Sequence, residues 1–237
     1  MNTPLVSCLT ATYGRPILLG EAIKCFLDQN YDNKELIILN DQTGVKLVLD
    51  KDYPNIQLIN YPTRFNSLGE KRNYLKSLGK GEYFCIWDDD DLYPPHRISE
   101  SVKLIQITKY DMVKAKSALM SVNNGQYRLT ENLYHSQACI SKQYMDKTNY
   151  PDISVGEDME FEKGATIGSF KDKFWYVYRW GLGIHHLSGI SDQKQSWNKS
   201  LTFDEYKKLK GRVVVEPKFQ KDYWSEIKAL KIIKDFS

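Results

Sequence analysis

The chain has 237 residues, 41% of them hydrophobic and 27% charged, with a formal net charge of +3. That length supports one sizeable core and is too short for two comfortable domains, and the composition is that of an ordinary soluble globular protein. Residues 1–9 carry no signal peptide and no apolar run approaches the roughly 20 residues needed to span a bilayer, so a cytoplasmic protein is expected. Cys8, Cys25, Cys85 and Cys139 form no C-x-x-C pair, which argues against a zinc site and a disulfide framework.

Leu5–Thr10 reads as a first strand. After the turn at residues 11–15, Pro16 suits a first helical turn, and Leu18, Leu19, Ala22, Ile23, Phe26 and Leu27 recur at helical spacing, predicting an amphipathic helix over Pro16–Gln29. A second strand, Glu35–Leu39, stops at Asn40-Asp41-Gln42-Thr43, and the β–α–β order implies a parallel sheet with a right-handed crossover. A third strand over Ile56–Asn60 and a helix around Ser67–Ser77 lead into a fourth strand, Tyr83–Trp87. Polar residues gather at the strand ends: Thr10, Tyr13 and Arg15, then Asp41, then Asp88, Asp89, Asp90 and Asp91. No G-x-G-x-x-G opens the first helix and no G-x-x-x-x-G-K-[ST] occurs, so dinucleotide dehydrogenase and P-loop ATPase readings lose their main support.

Four adjacent carboxylates repel one another and call for a compensating cation. Mg2+ and Mn2+ prefer carboxylate oxygens, keep several waters and commonly take the rest of their shell from phosphates. In open α/β sheets ligands sit beyond the carboxyl ends of the strands, where this cluster falls. A solvated acidic turn without metal is the other reading of the same residues.

Past Pro94-Pro95, Ile98, Val102 and Ile105 predict a helix to about Lys109, after which the sequence becomes more β-like. Met112–Val122 and Gln126–Thr130 around Asn123-Asn124-Gly125 suggest a hairpin, with another short strand at His135–Ile140. This half is expected to bind the acceptor. Ser154-Val155-Gly156-Glu157-Asp158 opens a helix expected over Met159–Ile167, and its acidic pair also suits simple capping by the helix dipole. Lys173–Arg179 is an aromatic strand followed by His185 and His186, a pair able to ligate a metal or to be merely structural, and by a loop, Leu187–Trp197, able to close over a phosphate. From Phe203 to Ser237 nine Lys or Arg face six Asp or Glu, so the tail carries the whole charge excess. That excess suits a solvated helical face, or a weak footprint for nucleic acid or an anionic membrane surface.

Over roughly residues 4–190 the order of these landmarks resembles the GT-A fold glycosyltransferases, specifically the inverting family 2. The resemblance implies an α/β fold, a Rossmann-like, mainly parallel sheet flanked by helices, as a domain over residues 1–200 with a basic helical extension over 201–237 packed on it. It implies that Thr10, Tyr13 and Arg15 belong to the nucleotide-contacting turn, that Asp41 meets a uracil ring, and that Lys71, Arg72 and Asn73 of Gly-Glu-Lys-Arg-Asn help hold the nucleotide. Ile86–Leu92 matches the D-x-D region: Asp88 holds the ribose or a metal-bound water, Asp89 fills the variable slot, and Asp90, with His185 or His186, binds Mn2+ or Mg2+. Asp158 of Gly156-Glu157-Asp158 matches the general base. The sequence departs from the commoner D-D-G-S at Asn40-Asp41-Gln42-Thr43.

The implied reaction is transfer of a sugar from a nucleoside diphosphate donor, a UDP-sugar foremost, to an acceptor hydroxyl by single displacement with inversion. The acceptor is a glycan, small molecule or protein, or, given the basic tail with Tyr206, Tyr223 and Trp224, a hydroxylated base of viral DNA. A metal-dependent nuclease or nucleotidyltransferase built on the Asp run, and a catalytically silent nucleotide-binding module, are the rivals from other classes.

Overall fold

In the computed structural model, which describes residues 3–122, 126–179 and 208–231, the centre of the sheet is built from strands that are apolar on both faces. In β1 (Val6–Thr12), β2 (Lys34–Asn40) and β5 (Tyr83–Ile86), the residues Val6, Cys8, Leu36, Ile38 and Cys85 join one core cluster with Phe26 and Trp87. Their neighbours Leu9, Ile37, Leu39, Phe84 and Ile86 join a second cluster with Leu75, Ile140 and Phe161. Successive strand residues point to opposite faces, so a strand covered on both sides reads as an unbroken apolar run.

β1 pairs in parallel with β2 and with β5, and β2 pairs in parallel with β4 (Ile56–Asn60). The crossover helix α1 (Pro16–Leu27) delivers Leu19, Ala22, Ile23 and Phe26 to the first cluster. Between β4 and β5, α2 (Leu68–Leu78) delivers Leu75 to the second. Its start is fixed locally: the Ser67 hydroxyl accepts from the Glu70 N–H at 3.0 Å, and the Glu70 carboxylate accepts from the Asn66 N–H at 2.9 Å.

After α3 (Arg97–Thr108) come β6 (Met112–Val122) and β7 (Gln126–Thr130), which form the expected antiparallel pair. β8 (Cys139–Ser141) runs antiparallel to both β5 and β6 and so joins the parallel half to the mixed half. The sheet order is β4-β2-β1-β5-β8-β6-β7, with β9 (Ile167–Arg179) parallel to β6. α4 (Lys142–Lys147) and α5 (Glu157–Glu162) lie in the connection between β8 and β9.

Several boundaries differ from those expected, each for a tertiary reason. Residues His135–Gln137 form a 3-10 turn rather than strand, because the buried Arg97 guanidinium draws in the carbonyls of Ser136 at 2.7 Å and Ala138 at 3.3 Å. α5 ends at Glu162 instead of running to Ile167, since the chain takes a φ of +81° at Gly164 and enters β9 at Ile167. β9 in turn starts six residues before Lys173 because β6 offers it a partner from Met112 onward. β3 (Val45–Leu49) has no counterpart in the expected elements; its parallel partner is β10 (Gly211–Val215), far along the chain.

The C-terminal segment carries α6 (Tyr223–Ala229), and with β10 and α6 it packs onto the first half of the fold. At the junction the Glu21 carboxylate, 1% exposed, accepts from the Tyr223 hydroxyl at 2.8 Å, from the Gln220 N–H at 3.0 Å and from the Arg179 guanidinium. Arg179 also donates through Nε to the Asp90 carbonyl, so α1, β9 and the tail meet at the loop after β5. All four cysteines are buried and unpaired, and among the described residues no helix is long and apolar enough to cross a membrane.

Removing one partner of a buried ion pair leaves the other charge uncompensated. Glu21→Ala is therefore expected to lower the unfolding free energy by about 3–5 kcal/mol, and Tyr223→Phe, which deletes the hydroxyl that donates to Glu21 and accepts from Arg179, by about 1–2 kcal/mol, both read from urea denaturation.

Candidate active site

The acidic run at the end of β5 is not a solvated turn. Asp89, Asp90 and Asp91 are 0%, 5% and 1% exposed, and the four carboxylates are turned toward different partners. Asp89 accepts from the Thr12 hydroxyl at 2.5 Å, from Arg15 Nε at 2.9 Å and from Arg15 Nη2. Arg15 Nη1 reaches Asp90 at 3.0 Å, so one guanidinium bridges two neighbouring carboxylates. Asp91 accepts from the Tyr176 hydroxyl at 2.5 Å and from the Arg179 N–H at 2.9 Å. Asp88, the most open of them, accepts from the Ser136 hydroxyl and lies 3.7 Å from Arg72 Nη2. Burial pushes the Asp89 carboxyl up to about 6 against the pull of Arg15, and burial followed by the Asp90 charge raises Asp91 well above the ordinary carboxylate range.

The wall formed by β1 and β2 is held by polar contacts within the protein. Thr10 is fully buried and donates to the Trp87 carbonyl at 2.6 Å, tying the end of β1 to the start of the acidic run. Asp41 accepts from Lys71 Nζ at 2.5 Å and from the Phe65 N–H at 3.2 Å, and Lys71, its pKa lowered by burial, also donates to the Thr12 carbonyl at 2.6 Å. Tyr13 has the Arg64 guanidinium 5.0 Å from its ring centre. Asn73 exchanges two hydrogen bonds with the Tyr150 backbone, at 2.8 and 2.9 Å. Asn40, the departure from the commoner D-D pair, accepts from the Gly14 N–H and donates to the Val45 carbonyl and Asn60 Oδ1, each at 3.0 Å. An ionised aspartate could only accept, so the amide fits this position on chemical grounds.

A cleft of about 300 Å³ opens in front of these groups. Arg15, Arg72, Asp88, Asp89 and Asp90 line one side, and Val155, Gly156, Glu157 and Asp158 line another. Glu157 is buried and tied to Arg72 Nε at 3.3 Å, with its pKa raised by burial, whereas Asp158 is half-buried and its Oδ1 accepts from the Met159 N–H at 2.8 Å. Of the residues expected at the site, the cleft brings together Arg15, Arg72, Asp88, Asp89, Asp90 and Asp158; Thr10, Tyr13, Asp41, Lys71 and Asn73 are not among its lining residues. His185 and His186 lie outside the described residues.

Ala11 and Leu68 also line the cleft, as do Tyr134, His135, Ser136, Tyr176 and Tyr178, five residues that belong to no motif singled out in the sequence. The two residues on β9 could have been suspected from the aromatic run Phe174–Tyr178, but nothing local marks Ser136, whose role depends on the turn imposed by Arg97. Among the described residues no group of three or more His, Cys, Asp or Glu is gathered to hold an ion. The hard oxygens of Asp88 and Asp90 at the cleft nevertheless suit a hard divalent cation that completes its shell with water and phosphate oxygens.

Comparison with known proteins agrees with this geometry. The sequence profile of Glycosyl transferase family 2 matches residues 7–161. A putative colanic acid biosynthesis glycosyl transferase from Escherichia coli K12 is 34% identical over 103 residues, which cover 41% of this chain and 37% of that protein. The chain spans 32% to 53% of the length of the first curated relatives it matches. Among solved structures, TarS from S. aureus in complex with UDP-GlcNAc superposes with a TM-score of 0.60 at 15% identity, covering 79% of this chain and 62% of that one. The mannosyltransferase PcManGT from Pyrobaculum calidifontis, in complex with GDP-Man and Mn2+, superposes at 0.53 with 14% identity, covering 75% and 57%. At such identities the likeness is one of fold, the GT-A arrangement of a mainly parallel sheet flanked by helices.

The Arg15 bridge carries a clear stability signature. Arg15→Gln is expected to cost about 3–5 kcal/mol at pH 7.5, because two buried carboxylates lose their cation. A carboxyl whose folded pKa is raised favours the folded state at low pH and loses that contribution as pH rises. The deficit of the variant relative to the parent should therefore narrow on acidification toward pH 5, below the value of about 6 that Asp89 already has, as read from thermal midpoints across that range.

Proposed function

The chain belongs to glycosyl transferase family 2 and is a glycosyltransferase of GT-A fold; from that premise we propose that it moves a sugar from a nucleoside diphosphate donor to an acceptor hydroxyl by a metal-dependent, inverting single displacement. The observation that carries this reading is the convergence of Asp88 and Asp90, from the end of β5, and Asp158, from α5, on one cleft. A UDP-sugar is the proposed donor, consistent with the UDP-GlcNAc bound in TarS, while GDP-Man in the mannosyltransferase marks the nearest chemical competitor.

In this reading the nucleotide sits against the ends of β1 and β2. Asp41, fixed by Lys71 and the Phe65 N–H, presents a rigid acceptor edge to the base. Thr10 and Asn73 fix the walls behind it, and Tyr13, Arg15 and Arg72 bring apolar area and positive charge to the phosphates. Asp90, with a histidine from the segment holding His185 and His186, would hold Mn2+ or Mg2+, and Asp88 would hold the ribose or a metal-bound water. Such an ion supplies Lewis-acid neutralisation of the charge that builds on the departing diphosphate. Asp158 takes the proton of the acceptor hydroxyl as the oxygen attacks the anomeric carbon, a role typically contributing about 100- to 10,000-fold in rate. With one base and no second nucleophile assigned, the bond to the acceptor forms on the face opposite the leaving group, so an α-linked donor gives a β-linked product.

UDP release from a panel of UDP-sugars, with and without Mn2+, tests the proposal. Asp158→Asn is expected to lower turnover by about 100-fold or more while UDP still binds, and Asp90→Ala to abolish the response to Mn2+. Parental turnover in folded Asp158→Asn would sink the base assignment; Mn2+-independent turnover in the parent would sink the metal requirement.

A further inference from the structure

Beside the cleft, and reaching its lining through His135, lies a cluster of charged and polar groups that the proposed reaction does not use. Lys114 on β6 is fully buried, and its Nζ donates to both carboxylate oxygens of Glu162, at 2.5 and 2.7 Å, and to the Leu133 carbonyl at 3.1 Å. Glu162 also meets His135 Nδ1 at 2.6 Å, and His135 Nε2 meets the Tyr150 hydroxyl at 2.8 Å. An ionised carboxylate only accepts, so Nδ1 carries the hydrogen and donates to Glu162, leaving Nε2 to accept from Tyr150. Burial holds the His135 pKa below its ordinary value, in keeping with a neutral ring.

Glu162 is the last residue of α5, and Asp158 lies one turn before it. Side chains four apart share a face of a helix, so whatever holds Glu162 also limits where Asp158 can point. The helix has six residues, well below the roughly 12–15 at which an isolated helix becomes even marginally stable. It also hangs between two glycines with positive φ, Gly156 at +77° and Gly164 at +81°, neither of which has any atom within 4 Å of the place where a side chain would stand. Its orientation must therefore come from side-chain anchors. One is Glu157 on Arg72 at the first turn; Phe161 is stacked on Tyr150 at 3.9 Å and its carbonyl accepts from the Tyr144 hydroxyl, and at the last turn Glu162 is held by Lys114 and His135.

We infer that Glu162, gripped by Lys114 and His135, is a positioning residue that fixes the direction in which Asp158 faces the acceptor hydroxyl. The inference rests on the assignment of Asp158 as the base. A buried ion pair adds little net stability, because desolvation offsets its attraction, and replacing both partners by neutral groups of similar size is often neutral or stabilising. Orientation is what such a pair can supply here, and orientation can be separated from stability by experiment.

The test is the double substitution Lys114→Met with Glu162→Gln, which removes both charges together and leaves neither unpaired. The expected result is a thermal midpoint close to the parent's and unchanged UDP affinity in Mn2+ by calorimetry. Amide hydrogen exchange over residues 157–162 should be about tenfold faster, with β1 and β5 unaffected. UDP release from UDP-GlcNAc should fall by about tenfold or more, and adding the pair of changes to Asp158→Asn should give no further fall. If the double variant loses its fold, His135→Gln is the second variant: it loosens the same carboxylate, keeps the Lys114 pair, and should move exchange and turnover the same way by about threefold. Parental exchange over 157–162, or an equal fall in the Asp158→Asn background, overturns the positioning role. Parental turnover in Asp158→Asn itself overturns the base assignment and the positioning role with it, so the two failures are distinguishable.

Discussion

The structure turns on how four consecutive carboxylates are kept apart at the end of one strand. Separate parts of the chain meet them: Asp88 is met by Ser136 and Arg72, Asp89 by Thr12 and Arg15, Asp90 by the same Arg15, and Asp91 by Tyr176 and Arg179. Such a cluster is tolerable only if the β1–α1 turn, α2, the turn before β8, and β9 are all in place at once. The same condition gathers these elements around one cleft, so the requirement that makes the acidic run foldable also builds the site.

The parallel core was legible because its physics is local. Runs such as Leu36–Leu39 are apolar on both faces, and the polar residues that terminate each strand mark where ligands meet an open α/β sheet. Asp88 to Asp91 stood out for the same reason, since ionisable residues next to a buried strand need an explanation, whereas Asp158 at a helix start also suited simple capping and was singled out by the family resemblance. What escaped was set by distant partners. β3 exists because β10 pairs with it, the length of β9 follows β6, and the conformation of Ser136 follows Arg97. Tyr134, His135 and Ser136 line the cleft without any periodicity or motif, since each owes its place to a turn rather than to a repeat.

Two positions in the motif segments also become intelligible at the level of hydrogen bonds. Asn40 joins the β1–α1 turn, β3 and β4 by donating and accepting together, which a second aspartate could not do when ionised. Lys71 is buried against Asp41 and the Thr12 carbonyl, so its charge ties the end of β1 to the turn after β2. Residues expected as ligand contacts thus divide into those that line the cleft and those held by hydrogen bonds beside it.

The clasp of Glu21 by Arg179, Tyr223 and Gln220 joins positions separated by up to 202 residues, and through Arg179 it reaches the Asp90 carbonyl. Contacts this remote form late, because the chain between them must first be closed into a loop. On a ribosome the β1–α1–β2 unit can assemble while later segments are still being made, yet the acidic loop gains its last supports only after Tyr223 has emerged. The order of synthesis therefore delays completion of the cleft until the segment bearing Tyr223 has been made.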